Sequence, residues 1–158
     1  MIQSGLVSIM MPAFNAEQFI EQAIQSVQAQ IYPHWELIVV DDGSKDRTSE
    51  ISRQFSDPRI RLIHQENMGE AAARNTALEN MQGEYFSFLD ADDLYLPNHL
   101  EQLSGYLSTH PKLDGVYSDG HYINALGKTL KTLSSRRRGP YEGQIFEELV
   151  YGSDVFGP

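Results

Sequence analysis

The chain has 158 residues, room for one well-buried core and short for two. Twenty-two acidic residues against twelve basic ones leave a net charge of −10, which argues against nucleic-acid binding, because neutralising phosphates takes positive charge. The absence of cysteine excludes disulfides and thiolate metal sites, no run approaches the roughly 20 apolar residues of a membrane span, and the start lacks a signal-peptide pattern, so a cytoplasmic protein is expected.

Residues 6–11 form a short apolar run closed by Pro12, the pattern of a buried strand. Over 16–30 the apolar residues Phe19, Ile20, Ala23, Ile24 and Val27 fall on one face of a helix. Residues 37–40 are the next buried strand and run into Asp41-Asp42-Gly43-Ser44. Asp46 is placed to cap a helix reaching Phe55, with Ile51 and Phe55 turned inward. Asp57-Pro58 makes a turn before a strand over 60–63. Asn67-Met68-Gly69 interrupts the pattern ahead of an alanine-rich helix over 70–81, with Gly83 placed as its carboxyl-terminal cap. A strand over 85–89 delivers Asp90-Ala91-Asp92-Asp93. Pro97 opens a helix carrying Leu100, Leu103 and Leu107 on one side, and Val116-Tyr117-Ser118 reads as another strand.

Strands alternating with helices indicate an α/β fold, a mainly parallel sheet with helices on both faces. After about Gly120 the pattern weakens, which divides the chain into a core over 1–120 and a different region over 121–158. Five of the twelve basic residues, Lys128, Lys131, Arg136, Arg137 and Arg138, fall within eleven positions of that region. Such a stretch suits a solvated loop, or a patch meeting a phosphorylated substrate or anionic lipid at the inner face of a membrane.

Three strand ends carry polar or conformationally special residues: Pro12-Ala13-Phe14-Asn15, Asp41-Asp42-Gly43-Ser44 and Asp90-Ala91-Asp92-Asp93. Each alone is also readable as a plain turn, with Asn15 as a cap and the acids on the surface. In a parallel sheet, however, these ends share one edge, where open α/β sheets bind ligands. The carboxylates of Asp90, Asp92 and Asp93 repel one another unless positive charge sits among them, and a hard divalent cation that takes phosphate oxygens suits them. Phe14 offers a face for base stacking, Asp42 an acceptor for a base N–H, and Arg74 a cation for a phosphate or for the acidic loop. Together these point to nucleoside-diphosphate binding. No Gly-x-Gly-x-x-Gly and no P-loop follows the first strand, which disfavours the dinucleotide and nucleoside-triphosphate folds that use them. His34, His64, His99, His110 and His121 are scattered without metal-ligand spacing and receive no role.

The segments 7–15, 39–44 with Asp46 and Thr48, Asn67-Met68-Gly69 through Ala73-Arg74-Asn75, and 88–93 with Pro97 resemble family 2 glycosyltransferases of the GT-A fold, in order and spacing from about Leu6 to Leu107. The resemblance implies a three-layer, Rossmann-like sandwich and an inverting transfer of sugar from a nucleotide donor, usually UDP-linked, with Mg²⁺ or Mn²⁺. It also implies bacterial cell-wall or polysaccharide synthesis. It assigns Pro12, Phe14, Asn15, Asp41, Asp42, Arg74 and Asp92 to nucleotide binding, and Asp90, Asp92 and Asp93, the Asp-x-Asp motif and its neighbour, to the metal. Phe14 stands where the family often has tyrosine and keeps the stacking face.

Family members continue with a segment that supplies the acceptor site and a catalytic carboxylate. Glu142, Glu147, Glu148 and Asp154 are late carboxylates outside that motif, so the base is expected beyond Pro158 and the chain is expected to be a donor-binding half. The acceptor is expected to be a saccharide, a lipid carrier or a protein. A nucleotidyltransferase and a non-catalytic nucleotide-binding module are the alternatives.

Overall fold

Strands covered on both faces need no polar alternation, and the apolar runs over 6–11 and 37–40 are of that kind. In the computed structural model, which describes residues 2–124 and 127–133, β1 (Gln3–Ala13), β2 (Trp35–Asp42), β3 (Ile60–Gln65) and β4 (Gly83–Phe88) form one sheet in the order β3-β2-β1-β4. Every neighbouring pair is parallel. Leu37, Ile38, Val39 and Val40 follow one another with no exposure at all.

Alternation along the strands sorts their side chains into two cores. Val7, Ile9 and Met11 of β1 and Trp35, Leu37 and Val39 of β2 face α1 (Ile20–Gln28), α2 (Thr48–Arg53) and α4 (His99–Thr109). Met10, Ile38 and Val40 face Ala73 and Ala77 of α3 (Glu70–Glu79) on the other side. The result is the expected three-layer α/β/α sandwich. Ile20, Ile24 and Val27 hold α1 down, each contributing about 2 kcal/mol by leaving water. Phe19, expected on the same face, is the residue before the helix, has φ −124° and remains 47% exposed.

Pro12 does not end β1, which continues to Ala13. Leu89 N–H donates to the Met10 carbonyl at 3.1 Å, so Met10 and, two residues on, Pro12 turn their backbones toward β4. The last β1–β4 pair is Met10 with Phe88, so Pro12 lies past the ladder and its missing N–H is not needed.

Gly83 is not a helix cap. α3 ends at Glu79 with Asn80 as its cap, and Gly83 opens β4 in ordinary backbone conformation. Glycine is required there by contact: a Cβ would stand 2.5 Å from the Leu6 carbonyl and 2.7 Å from Ser8 Oγ. Ser8 Oγ accepts from Gly83 N–H at 2.9 Å and donates to Glu36 at 2.6 Å, and Glu36 also accepts from Gln82 N–H and from Arg61. This buried network fastens the start of β4 to β1 and β2. Beyond it, Phe86 and Phe88 lie edge to face, both more than half exposed, where the cover of α3 has run out.

The chain divides into two compact units, Met1–Val116 and Tyr117–Pro158. The strand expected over 116–118 is not formed. In its place β5 (His121–Ile123) pairs antiparallel with β6 (Thr129–Thr132) through a turn in which Gly127 has φ 73°. Arg136, Arg137, Arg138, Glu142, Glu147, Glu148 and Asp154 lie outside the described residues.

Gly83→Ala should lower stability by about 2 kcal/mol through overpacking, read as a lower urea midpoint with an unchanged slope. A midpoint equal to wild type would show that the strand start yields freely.

Candidate functional site

From β1 the chain runs outward through β2 and β3, then returns over α3 to β4 on the far side of β1. That reversal is a topological switch point, and the loops at the carboxyl ends of β1 and β4 part around it. The β1 loop carries Pro12, Phe14 and Asn15; the β4 loop carries Asp90, Asp92 and Asp93.

The β1 loop takes its shape from the loop after β2. Asn15 has φ 51°, a conformation that asparagine tolerates better than most residues. Its N–H donates to Ser44 Oγ at 3.0 Å, and its Oδ1 accepts from Lys45 N–H at 2.9 Å. Asp46 accepts from the N–H groups of Glu17 and Thr48, both at 3.0 Å, and from the Thr48 hydroxyl at 2.6 Å. Asp46 thus bonds the first residue of α2 as a cap would, although Arg47 is the residue that precedes the helix. Thr48 Oγ1 accepts in turn from Ala16 N–H at 2.7 Å. Held from both sides, the loop presents Phe14 half exposed.

Asp41 and Asp42 point to opposite faces of β2, as successive strand residues must. Asp41 has no exposure and accepts from Ser44 N–H at 3.0 Å, from the Ser49 hydroxyl, and from His64 Nδ1 at 3.1 Å. Asp42, 3% exposed, accepts from Gln65 at 2.7 Å and from the N–H groups of Met68 and Gly69 at 2.9 and 2.8 Å. Burial pushes both carboxyls up, and the hydrogen bonds outweigh it, so both lie below their usual value. Asp46 is held low by the same opposition of burial and hydrogen bonds. Between Asp42 and the loop it holds, Gly43 has φ 73°, and a Cβ there would stand 2.8 Å from Asn67 N.

The β4 loop closes with Asp93 N–H donating to the Asp90 carbonyl at 3.0 Å. Arg74 of α3 donates to Asp90 Oδ1 at 2.9 Å and also pairs with Glu70. Asp92 and Asp93 are exposed. Partial cover of its carboxyl group, and after that the charges of Asp92 and Asp90, push Asp93 up from its usual value. Tyr95 ties this loop down: its hydroxyl donates to the Phe88 carbonyl at 2.6 Å and lies 2.5 Å from Ser87 Oγ, while its ring stacks on His99. Burial pushes the phenol up to about 12, so it remains a donor at neutral pH. Among the described residues no three His, Cys, Asp or Glu side chains are grouped so as to cage a metal ion.

A cavity of about 570 Å³ opens beside Phe14, between Gly43, Ser44 and Lys45 of the β2 loop and His64, Gln65, Glu66 and Asn67 at the end of β3. Sequence reasoning gave His64 no role and did not draw on Lys45, Gln65 or Glu66. Their signal was position: β3 ends on the same edge as β1, β2 and β4, and 64–67 is the polar run that follows its apolar residues.

Since Asp41, Asp42 and Asp46 lie below their usual 3.8, they stabilise the fold above that pH and release that stability as pH falls through their folded values. The urea midpoint should be flat from pH 7 to about 5 and drop steeply below about 4. Asp42→Asn should start about 2 kcal/mol lower and fall less steeply. Parallel acid profiles for the two proteins would show that Asp42 is not part of the effect.

No helix among the described residues is long and apolar enough to cross a membrane. The chain is 45% identical over 121 residues to the Escherichia coli UDP-Glc:alpha-D-GlcNAc-diphosphoundecaprenol beta-1,3-glucosyltransferase WfgD, a match covering 75% of this chain and 47% of that protein. It superposes on S. aureus TarS 1–349 in complex with UDP-GlcNAc with a TM-score of 0.64 at 28% identity, over 67% of this chain and 32% of the other. On a mannosyltransferase from Pyrobaculum calidifontis in complex with GDP-Man and Mn²⁺ the score is 0.54 at 33% identity, over 56% and 28%. The chain therefore spans less than half the length of these proteins. Residues 8–151 match the model of glycosyl transferase family 2, and with its GT-A-like parallel sheet this chain belongs to that family.

Proposed function

We propose that the chain is the donor-binding part of a glycosyltransferase that takes its sugar from a UDP-linked donor and transfers it with inversion. The observation that carries this is the pairing of a half-exposed aromatic ring above a cavity with a three-carboxylate loop, one on each side of the switch point. The relatives and neighbours that handle UDP-sugars support the choice of donor.

In this reading Phe14 stacks on the base, a contact worth roughly 1–3 kcal/mol. Pro12, Asn15, Asp41 and Asp42 give the pocket its walls, because their hydrogen bonds and backbone geometry fix the loops that enclose it. Asp92 takes the ribose side. Asp90, Asp92 and Asp93 offer hard oxygen donors suited to Mg²⁺ or Mn²⁺, which use one or two carboxylates together with substrate phosphates and need no preformed cage. Bound there, such a cation would neutralise the diphosphate as it departs. Arg74 acts through Asp90, whose oxygen it holds at 2.9 Å. A nucleotidyltransferase is not favoured: the β1 loop, Pro12-Ala13-Phe14-Asn15, has no basic side chain for a triphosphate.

We assign acceptor binding and the base that deprotonates the acceptor hydroxyl to the part of such an enzyme outside the matched segment. The diphosphoundecaprenol acceptor in the name of the E. coli relative favours a lipid-linked saccharide among the acceptor classes. A basic stretch over 128–138 would then lie against the inner face of the membrane.

Titrating UDP calorimetrically with Mn²⁺ and again with EDTA tests the reading; binding should require the metal. Asp92→Asn combined with Asp93→Asn should abolish metal-dependent binding and leave the circular dichroism spectrum intact. Phe14→Ala should weaken UDP roughly tenfold and leave binding of Mn²⁺ alone unchanged. Metal-dependent UDP affinity that survives the double substitution would falsify the site.

A further inference from the structure

The peptide joining Phe88 to Leu89 is where β4 gives way to the acidic loop, and it is held at both ends. Its N–H, on Leu89, donates to the Met10 carbonyl of β1 at 3.1 Å. In a trans peptide the carbonyl points the opposite way, so that of Phe88 is turned from β1, and there it accepts from the Tyr95 hydroxyl at 2.6 Å. A carbonyl only accepts, so the single phenol proton goes to Phe88, and Ser87 Oγ, 2.5 Å from the same phenol oxygen, donates to it. In such a chain of hydroxyls each bond strengthens the next.

The backbone of Tyr95 is tied to a different element. Its N–H donates to Ser26 Oγ of α1 at 3.1 Å. Gln30, just beyond α1 and 8% exposed, continues that seam, donating to the Leu96 carbonyl at 2.8 Å and accepting from Leu100 N–H at 3.0 Å. Tyr95 therefore straddles the loop, with its backbone anchored on the exit side and its hydroxyl on the entry side. Asp90, Asp92 and Asp93 lie between the two anchors.

We infer that Tyr95 is a positioning residue that makes the loop over 90–93 stiff enough to select a small divalent cation over a large one. This rests on the metal-dependent donor reading above and adds the property that decides which cation is taken. Mg²⁺ demands near-octahedral oxygens at about 2.0–2.1 Å, whereas Ca²⁺ accepts about six to eight at roughly 2.3–2.6 Å in flexible geometry. Loosening the loop therefore penalises the first ion and not the second.

The test is calorimetric titration of UDP with Mg²⁺, with Ca²⁺ and with EDTA, on wild type, Tyr95→Phe and Ser87→Ala. Wild type should bind UDP about tenfold more tightly with Mg²⁺ than with Ca²⁺. Tyr95→Phe keeps a ring to stack on His99 and removes the hydroxyl. It should lose about tenfold with Mg²⁺, change by less than about twofold with Ca²⁺ and leave the EDTA value unchanged. Ser87→Ala keeps the bond to Phe88 and weakens it, for a loss of about threefold with Mg²⁺ alone. A role confined to stability would lower the urea midpoint and affect both cations alike.

Unchanged Mg²⁺-supported affinity in a folded Tyr95→Phe overturns the proposal, as does an equal loss with Mg²⁺ and Ca²⁺. Should Tyr95→Phe not fold, Ser87→Ala decides: a loss with Mg²⁺ alone upholds the proposal, and an equal loss or none overturns it. If wild type uses both cations equally well, the donor reading survives and the selectivity falls. If UDP binds no better with Mn²⁺ than with EDTA, both fall.

Discussion

Backbone N–H groups in the loops at the carboxyl edge of a sheet need acceptors, and this chain supplies them as two buried carboxylates and one half-buried one. Asp41 receives Ser44 N–H, Asp42 receives those of Met68 and Gly69, and Asp46 receives those of Glu17 and Thr48. A charged acceptor bonded this way contributes about 1.5–3 kcal/mol per hydrogen bond, more than a neutral one. An unpaired charge at the same depth would cost several kcal/mol, so each carboxylate and its loop are either both in place or both lost. The shape of the cleft depends on this mutual requirement more than on any apolar contact.

The two sides of the cleft are therefore different in kind. On the side formed by the β1, β2 and β3 loops, Asp41, Asp42 and Asp46 are matched by hydrogen-bond donors and the turns are fixed by Asn15 and Gly43. The β4 side is incomplete: Arg74 answers Asp90, and Asp92 and Asp93 have no cation of this kind beside them among the described residues. In the donor-binding reading proposed above, the matched wall would hold the neutral part of the ligand by shape and the acidic loop its charged part by way of a counter-ion.

Much of the fold was legible because parallel strands buried on both faces write themselves as continuous apolar runs, as 37–40 does. The positions of the loop motifs followed from strand ends sharing one edge. What was not legible depended on partners distant in sequence. A glycine shortly after a helix looks the same whether it caps that helix or admits Ser8 from 75 residues away, and Gly83 does the second. Pro12 reads as a strand breaker unless the place where β4 stops pairing is known. Asp41 and Asp42 look equivalent as neighbours, yet one is paired with Ser49 and His64 and the other holds the loop at Met68 and Gly69. His64 gained its position from the register that sets it opposite Asp41, which no local pattern reports. The hairpin of β5 and β6 was hidden by short, exposed strands that lack an apolar face.

The strand order also has a kinetic side. β1 is flanked by β2, which follows it closely in the chain, and by β4, which does not begin until Gly83. During synthesis one edge of β1 stays open until some eighty residues have been made, with its ladder groups unpaired and the apolar side chains of Val7, Ile9 and Met11 still short of cover from α4. Long-range parallel pairing of this kind is slow to form and leaves sticky intermediates on the way. The Ser8–Gly83 contact closes that edge, and the aspartates of the β4 loop emerge just behind it. A nascent chain of this protein can therefore have no working cleft before its sheet is sealed, and exposure to chaperones or to aggregation is concentrated in the interval between β2 and β4.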